Sequence, residues 1–75
     1  MANDGIRSPR LIRGREVESR VGLGTTAIRD KVKRGEFPAP VALGDGPTSP
    51  RAWLEEDVDR WITGRVEASR KPAMA

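Results

Sequence analysis

The chain contains no histidine, cysteine or tyrosine. Those side chains are the ones most used for proton transfer near neutral pH, nucleophilic attack and zinc ligation. A chain of 75 residues also has little volume for a water-excluding pocket. Together these absences point to binding rather than catalysis, with no cofactor, metal or small-molecule substrate. The lack of cysteine removes disulfides and thiolate–metal staples and fits a reducing cytosol. No apolar run approaches the ~20 residues needed to span a bilayer. The N-terminus has no apolar segment of the secretory type. A cytoplasmic protein with no membrane partner is therefore expected. Aromatics are scarce as well: two tryptophans and one phenylalanine must supply much of the hydrophobic burial.

Charge is plentiful and unevenly placed. Net charge is only +3, but Arg7 to Gly35 holds nine basic and three acidic residues, a local +6. Arg51 to Ile62 holds two basic and four acidic residues, a local −2. One half of the chain is suited to meet a polyanion, which is the electrostatic footprint of a nucleic-acid binder. A basic face that docks an acidic protein partner is the alternative from another class.

The first nine residues are small, polar and proline-interrupted, and are expected to be disordered. Residues 10–66 form one domain, and residues 67–75 a second disordered tail. Leu11 and Ile12 are the first apolar anchors, in a short extended segment expected to pack beside the helices. A first helix runs from about Arg15 to Arg20, with Val17 and Val21 facing inward. Gly22 ends it by supplying positive φ, and Leu23 plugs the turn into the core. The next helix starts near Thr25, with Gly24 or Thr25 as N-cap and threonine the better chemical fit. Its inward side carries Ile28 and Val32. Thr26, Lys33 and Arg34 lie outward, and Arg29 sits on the flank. Gly35 stops it. A buried first helix supporting a second helix with a cationic, hydroxyl-bearing face is the layout of a helix-turn-helix DNA reader.

Phe37-Pro38-Ala39-Pro40-Val41-Ala42-Leu43 cannot be helical, because its prolines force an extended path. Phe37, Val41 and Leu43 are expected to face inward from an edge strand. Gly44 to Pro50 is a turn by every local signal, and Arg51-Ala52-Trp53 returns as the second strand of a hairpin wing. The last helix begins near Leu54 or Glu55 and ends about Arg65, with fraying at Gly64. Leu54, Val58, Trp61 and Ile62 form its apolar stripe, and Glu55, Glu56 and Asp57 suit the positive end of its dipole. The fold class is mostly α with a small two-stranded β wing.

Candidate DNA contacts follow from this layout. Arg29 and Lys33 are placed to enter a groove, where arginine donates two hydrogen bonds to guanine O6 and N7. Thr25 and Thr26 stand at a helix N-terminus suited to phosphate, and Arg34 adds charge at the other end. Asp30 accepts from cytosine N4 or, the favoured reading, salt-bridges a neighbouring arginine. Thr48, Ser49 and Arg51 at the wing tip reach the adjacent backbone or minor groove. Trp53 and Trp61 are read as core rather than as base-stacking platforms.

Three segments resemble a known family: E-V followed six residues on by G-L, then R-G-E-F-P-A-P at Arg34 to Pro40, then W-L-E-E-D-V-D-R-W-I at Trp53 to Ile62. The stretch from Arg10 to about Arg65 is similar to the AlpA-type regulators and related excisionases of temperate phages and prophages, in the MerR-like winged-helix group. The resemblance implies a winged helix-turn-helix that binds duplex DNA through Thr25, Thr26, Arg29, Lys33 and the wing. It implies action as a transcriptional regulator or a recombination directionality factor, with a phage integrase as a possible partner. One small module contacts too little DNA for genomic selectivity, so head-to-tail self-association on repeats is expected. The protein would then be nucleoid-associated when bound.

Overall fold

A computed structural model describes residues 8–71. Of the tails expected at residues 1–9 and 67–75, Met1 to Arg7 and Pro72 to Ala75 lie outside the described residues, and residues 67–70 form the last turn of a helix instead of a tail. Six elements follow in order: β1 (Leu11–Arg13), α1 (Gly14–Val21), α2 (Thr25–Lys33), β2 (Val41–Ala42), β3 (Arg51–Leu54) and α3 (Glu55–Arg70).

The helix boundaries have local causes. Gly22 takes φ 75°, and its N–H donates to Glu18 O at 2.8 Å, closing α1. Gly35, at φ 74°, closes α2. Its N–H donates to Val32 O at 3.1 Å and that of Glu36 to Lys31 O at 2.8 Å, the paired bonds of a Schellman cap. At the start of α2 the N-cap is Gly24, with no side-chain cap. The threonine alternative therefore fails: Thr25 is already helical, and its hydroxyl donates to the Glu18 carboxylate instead.

Helix α3 runs through Gly64 to Arg70, past the expected end near Arg65. A helical glycine costs only about 1 kcal/mol, and the good helix formers Arg65, Glu67 and Ala68 follow it. The stop comes where Pro72 follows in the sequence: the residue before a proline is pushed out of helical geometry, and Lys71 is extended at ψ 133°.

The sheet has three strands in the order β1-β3-β2, all antiparallel, rather than the two of the expected wing. Leu11–Arg13 is extended as read, but it hydrogen-bonds to β3, with Ile12 opposite Trp53 and Arg13 opposite Ala52. That pairing buries Ile12 to 2% exposure while leaving Leu11 outside, the period-two alternation of a half-buried strand. Val41 and Leu43, expected inward, are exposed. They lie beyond the helices, on the free edge of the sheet and its turn.

The core gathers Ile12, Val17, Ile28, Phe37, Ala52 and Val58, with Val21, Leu23, Val32, Trp53, Trp61 and Ile62 half-buried around it. Phe37 is its aromatic centre. Trp61 packs edge-on to it at 4.8 Å between ring centroids, and Trp53 at 6.4 Å. Both indoles also reach back to the segment carrying Phe37. Trp53 Nε1 donates to Pro38 O and Trp61 Nε1 to Glu36 O, each at 2.8 Å. These two bonds fix the proline-bearing passage between α2 and the wing.

An ion-pair network locks the helices to each other. Arg20 on α1 meets Glu16 at 2.6 Å, Glu55 at 2.7 Å and Asp59 at 3.3 Å. Hydrogen bonds to Glu55 and then Glu16 raise the pKa of its guanidinium above the ordinary value. Arg10 approaches Glu55 from β1's side at 3.5 Å. The acidic first turn of α3 thus serves its own dipole and an arginine of α1 together.

Candidate nucleic-acid interface

The tertiary structure sorts the basic residues into two groups. Arg10 and Arg20 are held by α3 carboxylates, Lys31 meets Glu36 at 3.7 Å, and Arg34 meets Asp30 at 3.3 Å. Arg13, Arg15, Arg29, Lys33 and Arg51 make no ion pair among the described residues and are exposed. The local excess of charge seen in the sequence is therefore partly consumed inside the molecule. What remains available is a smaller set from β1, the start of α1, α2 and β3, while Arg65, Arg70 and Lys71 at the far end of the chain are likewise unpaired among the described residues.

Three of those five converge. Between α2 and β3 lies an open groove of about 420 Å³, lined by Thr25, Arg29, Lys33, Arg51, Glu18 and Trp53, among others. Ile28 and Val32 of α2 and Pro40 form its apolar floor. Exposed cations above an apolar floor leave their guanidinium and ammonium groups turned to water, and Glu18 is the one carboxylate among the described residues that line the groove. Helix α2 presents its N-terminus and Thr25 at this groove, so free backbone N–H groups add to the cationic field.

Thr26 is exposed in the first turn of α2, outside the groove lining. Arg34 is exposed but tied to Asp30, and it also reaches Glu36 at 4.0 Å. This is the salt bridge favoured for Asp30. Thr48 is exposed in the turn between β2 and β3. The Ser49 hydroxyl donates to Gly46 O at 2.7 Å, and its backbone N–H donates to the same oxygen at 3.1 Å. The Ser49 hydroxyl proton is thus spent on the loop. Arg51 is not at the wing tip but at the start of β3, opposite Ala42 and facing the groove.

Two features escaped sequence reading. Glu18 places a carboxylate in the groove through its bond with Thr25. Its helical spacing gave no sign of this, because the partner lies across the turn. Arg13 and Arg15, at the other end of the same basic stretch, also make no ion pair among the described residues. The signal for Arg13 was the alternation Leu11-Ile12-Arg13, which is legible only once that segment is known to be a strand.

Helices α1 and α2 joined by a glycine turn, with a hairpin after them and a cation-lined groove between α2 and the hairpin, define a small winged helix-turn-helix protein. The chain belongs to the AlpA family, that of the prophage CP4-57 regulatory protein, whose model matches residues 10–66. It is also similar to an uncharacterized protein, ORF88, of Enterobacteria phage P4. The two are 38% identical over 66 residues, which is 88% of this chain and 70% of that protein. No solved structure matches the chain significantly.

Proposed function

We propose that this protein is a sequence-specific duplex-DNA-binding accessory protein of phage or prophage type. It acts as an excisionase or a transcriptional regulator by cooperative binding to repeats, bending the DNA as it does so. The observation that carries the reading is the convergence of Arg29, Lys33 and Arg51, free of ion pairs among the described residues, around one groove that runs the length of α2. Membership in a prophage regulatory family supports it. Helix α2 enters the major groove, with Arg29 at base edges and Lys33 at phosphate. Thr26 and Arg34 contact the backbone around it, Thr25 stands beside base edges, Arg51 adds its charge beside α2, and Thr48 and Ser49 bring the wing to the flanking groove. A protein without catalytic groups redirects a recombinase by fixing DNA shape, and a phage integrase is the corresponding partner. Bending costs a few kcal/mol, offset by added contacts.

Salt dependence tests the reading directly. Neutralising about three to five phosphates gives a slope of log K against log salt of roughly −3 to −5. A fluorescence-anisotropy titration with a slope close to zero overturns DNA binding and favours an acidic protein partner.

Glu18 supplies a second test. Its carboxylate stands in the groove beside Thr25, where it repels phosphate and penalises any docking that brings backbone rather than base edges there. Glu18→Gln is expected to tighten binding to unrelated duplexes several-fold and to narrow the gap between specific and non-specific sites. Equal or weaker binding to random duplex contradicts that role.

A further inference from the structure

A second groove, sharing no lining residue with the first, lies between the α1–α2 turn and the distal half of α3. It encloses about 690 Å³ over Val21, Leu23, Trp61, Ile62 and Val66; of its charged lining, Lys31 is paired with Glu36 and Arg20 with Glu16 and Glu55, which leaves Arg65. Val66 is 41% exposed. Arg65 makes no ion pair among the described residues. This apolar surface exists because α3 continues through Gly64 to Arg70, carrying its stripe past the core it covers.

An exposed apolar pair lies on the wing of the same chain. Val41 and Leu43 project from the wing at 41% and 43% exposure, and Asp45 follows them without an ion pair among the described residues. The knob is preformed: the Leu43 N–H donates to Pro50 O at 2.8 Å, holding the hairpin closed. Strand β2 has only two residues, and Pro40 precedes it directly, so strand addition at this edge is disfavoured. Contact through side chains is what the edge offers.

We propose that this groove receives the wing of a second copy of the chain, Val41 and Leu43 entering it and Asp45 pairing with Arg65. The charges are complementary, and apolar surface meets apolar surface. Knob and groove belong to different parts of the molecule, so each contact leaves one of each open. Such a heterologous contact propagates as a head-to-tail row and does not close into a two-fold dimer. The inference takes its biological setting, copies aligned on repeated DNA sites, from the function proposed above; the contact itself involves protein surfaces alone.

Because the chain has no cysteine, introduced cysteines report the contact cleanly. Leu43→Cys and Val66→Cys proteins, mixed under mild oxidation at high concentration, are expected to yield the mixed 43–66 dimer in preference to either homodimer. The double variant should yield a ladder of oligomers. A control pair, Leu43→Cys with Arg60→Cys, should not. Adding Arg65→Asp to the double variant should reduce the ladder roughly threefold or more, and adding Asp45→Arg to that should restore it. Homodimers in excess, a control pair that cross-links equally, or no restoration by the charge swap overturns the contact. The unmodified chain's affinity for a short duplex is measured alongside. A chain that ladders as expected but fails to bind duplex overturns the DNA reading while the contact stands. One that binds duplex with no 43–66 cross-link, free or on a long duplex at low salt, does the converse.

Discussion

Arg29→Ala is expected to weaken binding to the cognate duplex about 5- to 150-fold, the equivalent of the roughly 1–3 kcal/mol carried by one bidentate base contact. Its effect on unrelated duplexes should be smaller, so that specificity relaxes. Lys33→Ala should instead lower affinity for all sequences alike and reduce the salt slope by about 0.9. Neither change should move the melting temperature, since both side chains are exposed and free of ion pairs among the described residues. Arg20→Ala is the informative contrast. It lies in the same basic stretch of sequence, yet its guanidinium is bound to Glu16, Glu55 and Asp59. Its loss should lower thermal stability and leave the salt slope almost unchanged. Anisotropy titrations against two duplexes, run beside thermal melts of each variant, separate these outcomes. Unfolding of the Arg29 or Lys33 variant would mean that the outward face of α2 has been assigned wrongly.

That contrast shows where sequence reading reaches its end. Counting charge located the basic half of the chain, because composition is additive along it. Counting could not say which cations are free, because Arg20 and Asp59 are 39 positions apart and only the packing of α1 on α3 brings them together. The same distinction runs through the fold. Gly22 and Gly35 were readable as helix stops because a left-handed residue acts locally, and the stripe of Val58, Trp61 and Ile62 was readable because helical period is local. The pairing of Leu11–Arg13 with β3 was not, since its register partner, Leu54, lies far along the chain. Val41 and Leu43 misled for a related reason. Alternation says that a strand has two faces but not whether a helix covers either one, and at the sheet's edge none covers these. In the candidate site, Thr25, Arg29 and Lys33 were legible from α2 alone. Glu18 was not, because its part depends on the turn folding α1 back beside α2.

Phe37→Ala should be the most destructive single change in the chain. Phe37 is the only one of the three aromatics that is fully buried, at 5% exposure, and both tryptophans pack edge-on to it. Truncating it removes its own transfer energy and leaves a cavity between two rings whose positions it sets, a loss of about 3–5 kcal/mol. At about 0.05–0.15 kcal/mol per residue, a chain of this length has roughly 4–11 kcal/mol in total. The variant is therefore expected to be largely unfolded, or to melt far below the parent. Trp61→Phe should be much milder. It keeps an aromatic against Phe37 and gives up chiefly the hydrogen bond to Glu36 O, about 1 kcal/mol. Trp61→Ala falls between the two, because the indole is only half-buried and part of its surface already faces water in the distal groove. Urea unfolding followed by tryptophan fluorescence measures the series, as both indoles sense Phe37 directly. A Phe37→Ala protein that unfolds at the parent's urea midpoint would show that the aromatic cluster decorates the core instead of forming it, and that the aliphatic set around Val17 and Val58 suffices to hold the winged helix together.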